Sequence, residues 1–176
     1  QADVKLEAMR GLLRAQYKLD KFADAVPNAQ ELLQNKGAAT DDKMIANLVL
    51  AKHSHAKNDL SLASGYYRNV VSLGKSEFAA EARYRLAEIL FTQDKLAEAE
   101  KAALDVINKA GSYEYWITKS YILLGDVYFR QKDYFNAEAT LRSVVENATI
   151  AELKAEAQQK LDKVIEEKNK NSKIGE

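Results

Sequence analysis

Apolar residues along this chain recur in stretches with helical spacing, and short polar breaks separate the stretches. In one such stretch Tyr121, Leu124, Gly125 and Tyr128 fall on a single helical face. After a polar break, Ala137, Leu141, Val144 and Val145 form a second face of the same kind. Two amphipathic helices joined by a short turn predict an αα-hairpin. The break itself recurs four times: Leu19-Asp20-Lys21-Phe22-Ala23-Asp24-Ala25, Asn58-Asp59-Leu60-Ser61-Leu62-Ala63, Gln93-Asp94-Lys95-Leu96-Ala97-Glu98-Ala99 and Gln131-Lys132-Asp133-Tyr134-Phe135-Asn136-Ala137. Each is a polar turn, a large apolar residue and then a small one. The closing alanines Ala25, Ala63, Ala99 and Ala137 are separated by 38, 36 and 38 residues, and such a fixed period is the mark of a repeat array.

This register predicts an all-α protein of four helix–turn–helix repeats, at about 4–35, 43–73, 78–110 and 115–147. A last amphipathic helix is expected over 151–168, with Leu153, Ala157, Leu161, Val164 and Ile165 on one side and Glu, Lys and Gln on the other. No second helix follows it, so it reads as a cap that shields the last repeat, with a partner-binding amphipathic helix as the alternative. The expected organisation is one domain over 1–168 and a polar tail over 169–176. Where paired helices cross, a small residue such as Gly125 or Ala137 lets the backbones approach to roughly 8 Å. Gly and Asn between repeats, around Gly37, Gly74, Gly111 and Asn147, are expected to end helices in the left-handed conformation. Pro27 reads as a residue of a helix start, where a missing N–H costs little.

The fourth unit is similar to a tetratricopeptide (TPR) motif, aromatic-x2-Leu-Gly-x2-Tyr followed by Ala-x3-large, with Tyr121, Leu124, Gly125, Tyr128, Ala137 and Leu141 in those places. The third unit carries Leu86, Ala87, Leu90, Phe91, Ala99 and Ala103; the second, Leu50, Ala51, Ala63 and Tyr67; the first, Leu12, Leu13, Tyr17, Phe22, Ala25 and Ala29. The resemblance covers residue 4 to about 147. It departs from the family in lacking the terminal Pro and in a period longer than roughly 34 residues. It implies a right-handed α-α superhelix that binds other polypeptides and does not catalyse. In general texture the long period resembles the TPR proteins of bacterial cell envelopes, which implies a periplasmic or outer-membrane-associated setting.

In that family the first helices of the repeats line a concave groove. Carried onto this chain, the implied peptide-binding set is Arg14 and Tyr17, then Lys52 and His55, then Tyr84, Glu88 and Phe91, then Ile122, Asp126, Phe129 and Arg130. The competing assignment is that these side chains touch the following repeat. Arg10, Arg14, Lys18 and Lys52 make the first half basic, while Glu88 and Asp126 make the second half acidic beside Tyr84, Phe91, Ile122 and Phe129. A ligand would then lay an acidic stretch on the first half and apolar anchors on the second. Recognition of an acidic C-terminal tail is not expected, because the Asn partners of such a site are missing and Glu88 would repel a carboxylate. The alternative to an interaction scaffold is a structural spacer or an oligomerisation module of a larger envelope protein; a regulatory domain of an enzyme is a third class.

Composition narrows the chemistry. Lys plus Arg equal Asp plus Glu at 26 each. A net charge of zero is poor footing for nucleic acid, whose binding draws on phosphate neutralisation. No apolar run approaches the ~18 residues of a membrane span. The chain opens on the polar Gln1-Ala2-Asp3 with no secretory signal, and passes almost directly into a helix, as a piece of a longer protein would. There is no Cys, hence no disulfide, thiol chemistry or Cys-ligated metal. His53 and His55 are two apart and point to opposite sides of a helix, so they do not share a metal or a proton. Asp41-Asp42 reads as N-terminal helix charge, and Glu98 and Glu100 as a solvated face. Of the nine Tyr, Tyr121, Tyr128 and Tyr134 are assigned to packing. No catalytic residue, metal site or cofactor is expected; the partner is a protein or peptide, with a homo-oligomer open.

Overall fold

The computed structural model describes residues 2–173, with side chains described for 3–172. Among the described residues there are nine α-helices and no strand. They are α1 (Ala2–Lys18), α2 (Phe22–Gln34), α3 (Thr40–Ala56), α4 (Leu60–Leu73), α5 (Glu77–Thr92), α6 (Leu96–Lys109), α7 (Glu114–Arg130), α8 (Tyr134–Asn147) and α9 (Ala151–Lys173). The expected all-α array of helix–turn–helix repeats is therefore what the chain forms. The closing helix runs five residues beyond 168, into the segment read as a polar tail, and residues 174–176 lie outside the described residues.

The chain divides inside α5 into two compact units, residues 1–86 and 87–176. In the first, α1 packs on α2, α2 on α3 and α3 on α4. Its core joins Met9 and Leu13 of α1 to Ala25, Ala29 and Leu32 of α2 and to Ile45, Ala46, Val49 and Leu50 of α3. In the second, α6 packs on α7, α7 on α8 and α8 on α9. There Ile122, Ala137, Leu141 and Val144 close over Leu153, Ala157, Leu161 and Val164 of α9.

The polar breaks share one backbone solution. Asp20, Asn58, Asp94 and Lys132 have φ of 55, 61, 59 and 63°, and each stands five residues before the closing Ala. In every turn the next residue's N–H reaches back five positions: Lys21 to Gln16, Asp59 to Ser54, Lys95 to Leu90 and Asp133 to Tyr128, at 2.9–3.0 Å. The left-handed residue bonds three back, as Asn58 does to His55 at 2.9 Å. This paired closure satisfies the last carbonyls of each first helix. The systematic left-handed sites thus lie within the hairpins. Between repeats only Gly74 and Gly111 have positive φ, while Asn35 is extended and Asn147 helical. Gly fits either place; three of the four hairpin turns use Asp or Asn, whose short polar side chains tolerate this region, while Lys132 adopts it in the fourth without that help.

Two further expectations change. Pro27 is the sixth residue of α2, beyond the donors that lack an intrahelical partner, so it removes a ladder hydrogen bond. Tyr121 is 39 % exposed, although its motif neighbours Leu124 and Gly125 are buried; an aromatic at that register position is not needed to fill the crossing.

Candidate functional site

In the first unit the residues assigned to the groove converge on two buried acids, Glu81, which the sequence did not single out, and Asp42, which it read only as helix N-terminal charge. Glu81 on α5 is buried and accepts from Tyr17 Oη at 3.0 Å; Lys52 Nζ approaches its other oxygen at 2.7 Å. The Lys52 ammonium lies 4.9 Å from the Tyr17 ring centroid and 5.0 Å from that of Phe22, so cation–π attraction holds it from two sides. Phe78 meets Tyr17 edge-on with centroids 6.0 Å apart. Burial, with Glu81 second, drives the Tyr17 phenol far above its ordinary value, so it remains a donor at any physiological pH. The second acid, Asp42, is buried at the start of α3 and takes hydrogen bonds from Arg10 and from Arg14, the latter at 3.0 Å. It also accepts from the Ala39 N–H at 3.3 Å, so the first-turn assignment holds for it while its main partners are long-range. The sequence signal for Glu81 was its i,i+4 spacing to Arg85, which approaches it at 3.7 Å. For Asp42 the local signal was its first-turn place, which does not disclose the Arg10 and Arg14 partners.

His55 packs edge-on against Tyr67, ring centroids 6.1 Å apart, on the turn side of the α3–α4 hairpin. Arg14 stays half-exposed, and with Tyr17, Lys18, Asp41, Ile45 and Phe78 it lines an open, mainly apolar cleft of about 340 Å³. This cleft lies on the first-helix side of the unit.

In the second unit the assigned residues are held more tightly. Asp126 of α7 accepts from Lys160 of α9 at 2.6 Å, and Lys119 pairs with Glu156 at 3.2 Å. Burial pushes the Asp126 carboxyl above its ordinary value, and Lys160 opposes that shift. Phe129 packs against the α7–α9 core and meets Tyr134 at 5.8 Å. Arg130 lies over the Phe91 ring at 4.5 Å and pairs with Asp94 at 3.1 Å. Glu88 is half-buried, and its main-chain oxygen accepts from the Thr92 hydroxyl at 3.0 Å. Tyr84, in the first unit, is only 4 % exposed and Ile122 only 2 %, so both serve packing and neither offers a ligand a surface. Glu100 accepts from Tyr128 Oη at 3.3 Å, which takes it off the solvated face where Glu98 remains.

A pattern emerges at one register position. Arg14, Lys52 and Asp126 each follow the small-or-large crossing residue of a first helix, and each bonds the next first helix: Asp42 on α3, Glu81 on α5 and Lys160 on α9. The contact with the following repeat is thus a real function of these residues. Among the described residues no three His, Asp or Glu gather as a metal site, and no helix is long and apolar enough to cross a membrane.

Helical hairpins in a constant register, each closed by the same turn and joined through first-helix ion pairs, define an α-helical repeat protein. A family model described as a tetratricopeptide repeat-like domain matches residues 8–115, and the chain belongs to that family. The match covers the first three repeats and stops at the start of the fourth, whose residues carry the fullest motif. No curated protein matches the chain significantly. The family assignment makes the chain a protein-interaction scaffold in the general sense, of a kind that is typically non-catalytic.

Proposed function

We propose that this chain binds a polypeptide segment along its first-helix face, with the cleft of the first unit as the principal contact. What carries the reading is that cleft: apolar walls from Tyr17, Ile45 and Phe78, with Arg14 and Lys18 on the rim. Its open form suits an aliphatic or aromatic side chain, and its cations suit neighbouring carboxylates, which set orientation and on-rate more than affinity. Of the residues expected to meet a ligand, Tyr84 and Ile122 leave the set because they are buried. Lys52 supports the Tyr17 wall through its cation–π contact, while His55 packs on Tyr67 outside the cleft. For one short segment a dissociation constant of roughly 1–100 μM is expected. The long repeat period supports a bacterial cell-envelope setting.

Display of random peptides against the folded chain tests this reading. Acidic sequences with an adjacent large apolar residue should be enriched, and their binding should fall about tenfold or more with Lys18→Glu, a change of about 1.4 kcal/mol. Enrichment of unrelated sequences, or of acidic ones that bind Lys18→Glu equally well, would contradict it. The second reading, an oligomerisation module, is favoured by an exposed apolar stripe on α1 that the next subsection develops.

A further inference from the structure

The outer face of α1, continued by Leu19 at the start of the turn, carries Val4, Ala8, Gly11, Leu12 and Ala15, all exposed; Val4, Leu12 and Leu19 are 73, 54 and 64 % accessible. At a helical pitch these six form one narrow stripe. The repeat register shows what such a stripe is for. Thirty-eight residues on, Ala8, Gly11 and Leu12 become Ala46, Val49 and Leu50 of α3, all buried in the core to which α2 contributes. In α7 the same register holds Ser120, Leu123 and Leu124, all buried in the unit where α6 packs on α7. The stripe on α1 therefore has the form of a helix-packing surface, and within this chain no described helix covers it.

We propose that the occupant is α1 of a second copy, laid antiparallel across a two-fold axis between Gly11 and Leu12. This rests on the oligomerisation reading; the apolar stripe is separate from the peptide cleft, and the two surfaces share only Arg14 and Lys18. The stripe is palindromic: its steps are four, three, one, three and four residues. A two-fold at its centre pairs Val4 with Leu19, Ala8 with Ala15 and Leu12 with Gly11, and the empty space over Gly11, where an added Cβ would touch nothing, receives the partner's Leu12. An isologous contact needs this self-complementarity. Charge agrees. Asp3, Glu7, Arg14 and Lys18 share one flank of the stripe, and the same operator brings Glu7 towards the second copy's Arg14 and Asp3 towards its Lys18. One helix pair is a small interface, so association in the range of roughly 1–100 μM is expected.

Sedimentation velocity on the intact chain across that range, with mass read from one chain to two, tests the proposal. Leu12→Glu should raise the dimer dissociation constant about 100-fold or more, because the interface would bury an unpaired charge. Its circular dichroism, and its melting at concentrations where the chain is a monomer, should be unchanged, since Leu12 is exposed in the single chain. The chain has no Cys, so register is open to a direct check. Mixing Ala8→Cys and Ala15→Cys chains under oxidation should give the mixed disulfide, and Ala8→Cys alone should give none. A monomer at every concentration overturns the proposal and leaves the stripe to a helix of another polypeptide. A dimer indifferent to Leu12→Glu, or a disulfide from Ala8→Cys alone, overturns it as well. Peptide binding is read apart from this by assaying Lys18→Glu below the dimer's dissociation constant, where the chain is a monomer.

Discussion

Gly125 shows how one atom sets a helix crossing. A Cβ built there would lie 2.6 Å from Cγ of Leu141, a buried side chain with no room to retreat. The same register position holds Leu13, Ala51 and Ala87 in the other repeats, and the position opposite Gly125 holds Ala29, Tyr67 and Ala103. Each repeat divides the crossing volume differently, large with small or small with small, and all these side chains are buried. Sequence alone suggests that Ala is harmless at 125, because Ala87 occupies the equivalent place; by register the position opposite Ala87 is the small Ala103, whereas Leu141 leaves no space for a Cβ at 125. At an open helical site Gly→Ala gains roughly 0.5–1 kcal/mol, and Gly65, with nothing near its missing Cβ, should show that gain. Gly125→Ala should instead lose about 1–3 kcal/mol to overpacking. Combining it with Leu141→Ala should cost less than the two changes added, by about 1 kcal/mol or more, which denaturant unfolding of the four variants would read. Strict additivity would mean that the two residues do not share the crossing. The turns give a second residue-scale prediction. Asp59 and Asp133 cap their helices by accepting from the N–H three residues on, whereas Lys21 and Lys95 in the same position make no cap bond. Lys21→Asp and Lys95→Asp should each raise stability by about 0.5–1 kcal/mol in the same unfolding assay. No gain in either would mean the turn does not present an N-cap there.

At the scale of the element, α2 and α9 depart most from expectation. Position from the turn made Pro27 a helix-start residue, but the turn closes at Lys21, which puts Pro27 past the first turn. Its side chain is exposed and packs nothing, so Pro27→Ala should restore one ladder bond and stabilise by roughly 1–3 kcal/mol. A variant that melts lower would show that Pro27 is needed for the path of α2. Helix α9 is held by an apolar seam and by ion pairs, among them Lys168 with Glu138 at 2.8 Å. Glu138 titrates below its ordinary value because Lys168 and Arg142 bond its charged form. With the folded value depressed, its contribution is complete above pH ~4.5 and is lost as pH falls through the lowered value. Asp126 is raised by burial and works in the opposite direction. Glu138→Gln should therefore lower Tm modestly at pH 7 and have no effect near pH 3; an equal loss at both would remove the electrostatic account of α9. Helix existence, turn position and the α9 seam were all legible because each is a local pattern of period 3.6 or a fixed spacing. The length of α9 was not, since Asn169 to Lys173 are polar and continue the helix on its solvent side.

For the molecule as a whole, repeat class and protein-interaction character follow from register and family. What sequence could not supply was the use of each first-helix side chain. Arg14, Lys52 and Asp126 sit where groove residues are expected, yet each is committed to an acid or base on the next first helix, 28 to 34 residues away in the chain. No local spacing announces such a partner, and it is the burial of Asp42 and Glu81 that marks them as the acids these cations meet. The basic first half of the proposed groove is in part a set of internal ion pairs, which leaves Lys18 and the exposed portion of Arg14 as the cations a ligand would meet. Binding along the first helices is the central claim, and the most direct measurement is amide hydrogen exchange of the chain with and without a segment taken from peptide display. The account predicts added protection confined to α1, α3, α5 and α7, greatest around Tyr17 and Ile45. Protection confined to α2, α4, α6 and α8 would contradict it.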